Sequence, residues 1–237
     1  MKILIVSATL FEVKKLVERF DPAEVTPNRL YQFTEKGLQA DLLISGIGIL
    51  STAFHLGKLL SVKSYDLAVN AGICGSYNKE IPLGSVLHVT EEQLPEAGVE
   101  EEGTVKSLFE LGLMTPDEFP FEDGRLINTL IPELKSVDRL KKVTGNTVNT
   151  LKTESEKIKN LLTQSPADVE SMEGAAFLFA CLTQKIPSVQ IRAVSNYVGE
   201  RDKAKWEIRL AVKRLNEVLE EMLDHWMTVA ASLRSSQ

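Results

Sequence analysis

The chain has 237 residues, 43% hydrophobic and 25% charged, values that suit one α/β domain with a full core. Its net charge of −6 argues against a nucleic-acid partner, because binding a phosphate backbone requires a basic face. No stretch approaches the roughly 18 apolar residues of a membrane span, the N-terminus lacks the features of a secretory signal, and two cysteines, Cys74 and Cys181, suggest a reducing, cytoplasmic setting.

In chain order, the β-branched run from Lys2 to Val6 predicts a buried strand, and Phe11 to Phe20 an amphipathic helix. A strand from Asp41 to Ser45 and a largely buried helix from Ile49 to Leu60 follow, then strands at Leu67 to Asn70 and Ser85 to Thr90. Residues 91–137 are the least regular part, punctuated by EEQLPEAGVEEEG and MTPDEFPFEDG, and read as an insertion or lid. The charge-rich segment 154–159 reads as a solvated helix face. Met172 to Thr183 is apolar enough for a buried helix, and Val189 to Ser195 for a buried strand. The last helix, Lys203 to Ala230, aligns Ala211, Leu215, Val218, Leu219, Met222 and Trp226 on one face. Strands alternating with helices imply a mainly parallel sheet between two helical layers, in a single domain over residues 1–237.

Three glycine-bearing segments each read as a turn after a strand: SGIG at 45–48, NAGICG at 70–75 and VTGNTVNT at 143–150. Ligands of open α/β sheets bind beyond the carboxyl ends of the strands, where glycine lets the backbone come close. SGIGILS lacks the third glycine of a GxGxxG fingerprint, so no nicotinamide cofactor is expected. VESMEGAAF at 169–177 sets carboxylates before a small apolar helix, where Glu173 is either a charge favoured by the helix dipole or a group that grips ligand hydroxyls. IRAVSN at 191–196 places Arg192 inside an apolar strand, which suits a buried salt bridge or an active-site arginine equally, with Ser195 and Asn196 at its mouth. His55, His88 and His225 read as satisfied structural residues; no zinc pattern exists, and Cys74 has no activating histidine nearby in sequence. Trp206 and Arg201 fit a role over a substrate substituent as well as they fit packing and surface charge.

The series SATLFEV, SGIGILSTA, NAGICG, VESMEGAA and IRAVSN resembles, in order and spacing, the purine nucleoside phosphorylase and nucleosidase superfamily. Within it the chain is similar to the methylthioadenosine/S-adenosylhomocysteine nucleosidases and, through VESMEGAAF, SNYVGERDKAKW and PEAGVEEEG, to futalosine hydrolases. The resemblance implies a three-layer fold on a twisted, mixed but mainly parallel sheet, a homodimer, and hydrolysis of a purine nucleoside without metal or organic cofactor. It assigns Glu12 to orienting and activating water, Arg192 to a place beside that water, Met172 to the underside of the sugar, and Glu173 to the 2′- and 3′-hydroxyls. Gly75, Ile73 and Ser195 are expected at the substrate. Thr147 and Val148 stand where these nucleosidases stack the base on an aromatic, so apolar side chains or Tyr197 are expected to sandwich it.

Two departures refine this expectation. The superfamily's hexameric phosphorylases hold phosphate with arginines where this chain has Glu12 and Asn70. Two like charges ~4 Å apart at an effective dielectric of ~20 cost roughly 4 kcal/mol, so a carboxylate there favours water over phosphate. Asn196 replaces the aspartate that protonates N7 of adenine. Its amide suits a 6-oxopurine, donating to O6 and accepting from a protonated N7. The resemblance therefore implies futalosine hydrolysis to hypoxanthine and dehypoxanthinylfutalosine, a step of menaquinone biosynthesis. An adenine-specific methylthioadenosine or aminofutalosine nucleosidase, and a non-catalytic nucleoside-binding protein, are the alternatives.

Overall fold

The computed structural model describes residues 1–27, 29–132 and 134–235. The first half runs β1 (Lys2–Ser7), α1 (Lys14–Phe20), β2 (Ala23–Thr26), β3 (Leu30–Glu35), β4 (Leu38–Ile44), α2 (Ile49–Leu60), β5 (Leu67–Ser76) and β6 (Val86–Gln93). A hairpin, β7 (Gly98–Glu101) and β8 (Thr104–Ser107), precedes β9 (Leu126–Ile127) and the short α3 (Lys135–Asp138). The rest is β10 (Lys141–Thr147), α4 (Ser155–Gln164), β11 (Val169–Ser171), α5 (Gly174–Gln184), β12 (Ser188–Tyr197), a 3₁₀ turn (Lys203–Lys205) and α6 (Ile208–Ser235).

The main sheet runs β11-β10-β6-β12-β5-β1-β4-β3-β2, with β9 on β6. Its centre, β4-β1-β5-β12, is parallel, and β3 and β2 extend one side antiparallel. β1 is buried on both faces, as a central parallel strand must be. Ile3 and Ile5 join a core with α1 and α6, while Leu4 and Val6 join a second core with α2 and α5. These two cores are the faces of a three-layer α/β fold.

At the other side the sheet closes on itself. β11 pairs in parallel with β10 and, antiparallel, with the far end of β5. The ring β5-β12-β6-β10-β11 is filled by Cys74, Leu87, Val89, Val143, Val169 and Val194. Closure leaves a gap along β5, which pairs with β1 up to Asn70 and with β11 from Gly75. Between them, on that edge, Ala71 to Cys74 have no strand partner among the described residues.

Several segments differ from their sequence reading. NAGICG and the start of VTGNTVNT lie inside β5 and β10 and are not turns after strands; only SGIG is a loop, with Gly46 (φ 84°) and Gly48 (φ 93°) in backbone conformations that favour glycine. Residues 91–137 are not an open lid. They extend β6, add β9 to it, and pack Leu94, Phe109, Met114 and Phe121 on the core that holds α5. His88, expected to be satisfied, is fully buried in β6 with no hydrogen-bond partner on either ring nitrogen among the described residues.

Candidate active site

The interrupted edge of β5 opens into a cavity of about 480 Å³, bounded also by the loop after β1, the SGIG loop, β11, the start of α5 and the end of β12. This is a switch point of the sheet, where neighbours diverge and a ligand can reach strand ends.

Glu12 stands just before α1 and is buried at 6% exposure. Thr9 and Glu12 have the S/T-x-x-E spacing of a capping box, and the Thr9 N–H donates to Glu12 Oε2 at 2.9 Å. The Thr9 and Ser7 hydroxyls donate to the same oxygen at 2.9 and 3.3 Å. The other oxygen, Oε1, accepts the Ile73 N–H at 3.1 Å, one of the backbone donors that β5 leaves without a strand partner. On the far side, the Asn216 amide of α6 donates to the Glu12 carbonyl at 2.7 Å. Both ends of the residue are therefore fixed.

Arg192 comes up from β12 at 1% exposure. Its Nη1 donates to Asn70 Oδ1 at 2.6 Å, so Asn70 orients the guanidinium. Nη2 stands 3.8 Å from Glu173 Oε2, and neither Nη2 nor Nε makes a hydrogen bond among the described residues. Gly72 lies between this cation and Glu12. A Cβ there would be 2.5 Å from Arg192 Nη1 and 3.0 Å from Glu12 Oε1. The missing side chain thus lets a guanidinium and a carboxylate close in on the backbone from either side.

Glu173 immediately precedes α5 without capping it through its side chain, and its Oε1 accepts the Gly48 N–H at 3.0 Å, tying the SGIG loop to the VESMEG segment. Burial pushes its carboxyl above the ordinary carboxylate range, against the pull of Arg192 and the Gly48 N–H. Met172 lines the cavity beside it. Phe11, Ile47, Leu151, Trp206 and Ile208 form an apolar wall.

At the other end, Ser195 and Asn196 line the cavity with Ile73 and Gly75. The Ser195 hydroxyl is shared between the Cys74 carbonyl at 3.0 Å and Asn196 Oδ1 at 2.8 Å. Burial pushes the Cys74 thiol up to about 12, so it is no nucleophile near neutral pH.

The structure therefore brings Glu12, Met172, Glu173, Ile73, Gly75, Ser195 and Asn196 around one cavity, while Arg192, expected beside the water, does not line it and stands buried behind Glu173. Val148 does not line it: the side chain is fully buried, and its N–H donates to the Ser171 carbonyl at 2.9 Å. Nor does Tyr197, whose hydroxyl is turned to the Ile81 carbonyl at 3.1 Å. Trp206 lines the cavity and Arg201 is exposed away from it. Sequence reasoning missed Gly72, the role of Asn70 toward Arg192, and Glu170, a third buried carboxylate in the wall. Among the described residues no group of three or more His, Cys, Asp or Glu could hold a metal ion, and no helix is long and apolar enough to cross a membrane.

A three-layer α/β fold whose cavity opens at a switch point beside β5 is the architecture of the phosphorylase superfamily. The model of that family matches residues 2–224, and the chain belongs to it. It is 30% identical over 191 residues to a futalosine hydrolase of Thermus thermophilus, covering 79% of this chain and 83% of that protein. It is 29% identical over 229 residues to a 5′-methylthioadenosine/S-adenosylhomocysteine nucleosidase of Colwellia psychrerythraea, covering 91% and 92%. The crystal structure of the Colwellia psychrerythraea nucleosidase in complex with adenine has the same fold, with a TM-score of 0.76 at 23% identity over 94% of this chain and 95% of that one.

Proposed function

We propose that the protein hydrolyses the N-glycosidic bond of futalosine, releasing hypoxanthine and dehypoxanthinylfutalosine, a step of menaquinone biosynthesis. The observation that carries this reading is the buried carboxylate of Glu12, fixed in the cavity wall at the open edge of β5. A water in the cavity beside it meets a group that can accept its proton. A phosphate dianion would face Glu12 at close range, which favours hydrolysis over phosphorolysis.

The reaction follows from these positions. As the bond from C1′ to N9 of the base breaks, the sugar takes on oxocarbenium character. Glu173 accepts hydrogen bonds from the ribose hydroxyls, and with Glu12 it sets negative charge near the developing cation. Met172 packs against the sugar. Water adds to C1′ while Glu12 takes its proton, and the departing base takes a proton from solvent, so that hypoxanthine leaves neutral. The Asn196 N–H, donated to O6, stabilises the charge that gathers on the departing base. The futalosine hydrolase of Thermus thermophilus supports the choice of substrate.

We further read the protein as a cytoplasmic homodimer acting on this small-molecule purine nucleoside. Cys74 and Cys181 are unpaired, and Ile47, Leu50 and Phe54 expose apolar surface on and before α2, the kind of surface that oligomers cover. Sedimentation equilibrium of the purified chain tests the dimer.

Chromatography of the free base tests the function. Incubation with futalosine should yield hypoxanthine, and Glu12→Gln should slow its release by about 10²–10⁴-fold. Adenine released from adenosine-type nucleosides, with none of the hypoxanthine from futalosine, would reject the substrate. Binding without release of any base would make the protein a nucleoside binder.

A further inference from the structure

Glu92 is 1% exposed near the end of β6, and it does not line the cavity; it stands behind the segment that carries Glu173. Its Oε1 accepts from Gln190 Nε2 of β12 at 2.6 Å, and its Oε2 from the Thr147 hydroxyl of β10 at 2.7 Å. Two glycines make room for it. A Cβ on Gly145 of β10 would sit 2.7 Å from Glu92 Oε1, and one on Gly174 of α5 would sit 1.9 Å from the same atom. Enclosure pushes the carboxyl above its ordinary range, against the hydrogen bonds of Thr147 and Gln190 and the charge of Arg192. An acid buried at that cost beside a ligand cavity is a candidate for a functional task.

The task lies at the start of α5. The first N–H groups of a helix have no partner within it, and the side chain of the residue just before the helix ordinarily supplies one. Here that residue is Glu173, and its side chain makes no such bond among the described residues. Its oxygens are turned elsewhere, Oε1 to the Gly48 N–H at 3.0 Å and Oε2 toward Arg192 Nη2, 3.8 Å away. The Ala175 N–H donates instead to the Thr147 hydroxyl oxygen at 2.7 Å. One hydroxyl can accept from that N–H and donate to a carboxylate at the same time. Thr147 therefore caps α5 from a neighbouring strand, and Glu92 fixes its hydroxyl by accepting the hydrogen bond it donates.

We propose that Glu92 is a positioning residue for sugar recognition: with Thr147 it replaces the side-chain cap of α5 and so frees Glu173 to meet the ribose hydroxyls. The proposal rests on the nucleosidase reading above and adds to it a group that never touches the substrate. Glu173 cannot cap the helix and hold two hydroxyls with the same oxygens. Without Glu92 the Thr147 hydroxyl loses its fixed direction, the N–H groups of the first turn draw Glu173 back, and the ribose loses its acceptor. The damage then falls on sugars that present hydroxyls and spares a sugar that has none.

The test measures kcat/KM for base release from an inosine-type ribonucleoside and from its 2′,3′-dideoxy analogue, which offers Glu173 no hydroxyl. Glu92→Ala should lower the value for the ribonucleoside by about 10–100-fold, the scale of a hydrogen bond to a charged group. The dideoxy analogue should fall far less, so the preference for ribose shrinks at least about tenfold. Glu92→Gln should recover most of that preference relative to Glu92→Ala, because its amide can accept from Gln190 and donate to Thr147. Should the melting curve show Glu92→Ala unfolded, Thr147→Val decides. It keeps the shape, removes the hydroxyl and should lose the same ribose preference, whereas Thr147→Ser should keep it. Equal losses on both nucleosides, in either Glu92→Ala or Thr147→Val, would overturn the proposal and leave the network a structural brace. Trp206 lines the cavity, so its fluorescence reports binding of both nucleosides without turnover. If the wild type binds them and releases no base, the nucleosidase reading falls, and the ratio of the two dissociation constants across the same variants still decides the role of Glu92. A wild type that binds neither overturns both.

Discussion

A methyl group added at Gly72 would lie 2.5 Å from Arg192 Nη1 and 3.0 Å from Glu12 Oε1. Neither group can retreat easily, since Asn70 holds the first and Ile73, Thr9 and Ser7 hold the second. Gly72→Ala should therefore push Glu12 or Arg192 out of place, at an overpacking cost of about 1–3 kcal/mol in urea unfolding. Misplacement by about 1 Å costs on the order of 10²-fold in rate, so base release by the folded variant should fall by about that factor. Equal activity in the variant would show that the positions of Glu12 and Arg192 do not set the rate. The contrast with Glu12, Arg192 and Glu173 shows what a sequence displays at this scale. A charged residue inside an apolar run needs a partner or a ligand, so it draws attention by itself. A glycine whose importance is the volume it leaves open does not, because that volume is defined by side chains 60 and 120 positions away. Glu170 was hidden for a related reason: its acid group stood next to Met172 and Glu173 in one motif, and only strand register sets it apart.

At the scale of elements, the start of α5 shows two local rules in conflict. Gly174 opens the helix, where alanine would gain about 1 kcal/mol in helix propensity. A Cβ there, however, would sit 1.9 Å from Glu92 Oε1 and 2.6 Å from Gln190 Nε2. Glu92 is fully enclosed and receives hydrogen bonds from Gln190 at 2.6 Å and from Thr147 at 2.7 Å; Thr147 in turn accepts the Ala175 N–H at 2.7 Å. This small polar network anchors the helix terminus that carries Glu173. Overpacking a filled interior costs about 1–3 kcal/mol, and displacing hydrogen bonds to a buried carboxyl adds to it. Gly174→Ala should therefore destabilise by about 2 kcal/mol in urea unfolding, despite the favourable propensity; a stabilised variant would show that the network yields freely. The same competition explains which elements were legible. α2 falls at Ile49–Leu60, as its apolar run predicts. β5 and β10 were read short or as turns because glycine is a poor strand former. They are strands because Gly72, Gly75 and Gly145 stand where the carboxylates, amide and guanidinium of neighbouring segments come close. β2, at the sheet edge, is exposed throughout, and β3 beside it mixes exposed and buried residues too irregularly, so alternation reveals neither.

Across the whole molecule, two buried titratable groups on the same strand pull stability in opposite directions with pH. Burial, aided by Lys142, lowers His88 from 6.5 to about 4. Burial raises Glu92 from 4.5 to about 7, against the hydrogen bonds of Thr147 and Gln190. In the folded chain between pH 4.5 and 6.5, His88 stays neutral where the unfolded chain would protonate it. Its contribution is present above pH 6.5 and is lost as the pH falls through about 4. Glu92 stays protonated where the unfolded chain would ionise it, so its contribution is present below pH 4.5 and is lost as the pH rises through about 7. Glu170 and Glu173, also raised by burial, tilt the same way as Glu92, and Asp41, lowered by Lys63, Tyr65 and Gln32 against its own burial, tilts with His88. The wild-type profile is a sum in which these slopes offset one another, so each must be read by difference. Two pH units across that window are worth on the order of 2–3 kcal/mol for one fully shifted group. His88→Leu also removes two buried ring nitrogens that have no partner among the described residues, so it should not destabilise at pH 7. Relative to wild type, its stability should improve by about that amount from pH 6.5 down to 4.5. Glu92→Gln should show the opposite difference, improving relative to wild type as the pH rises over the same interval. Urea unfolding at pH 4.5, 5.5 and 6.5 measures both; parallel pH profiles for wild type and His88→Leu would mean that solvent reaches His88 and that burial does not hold it neutral.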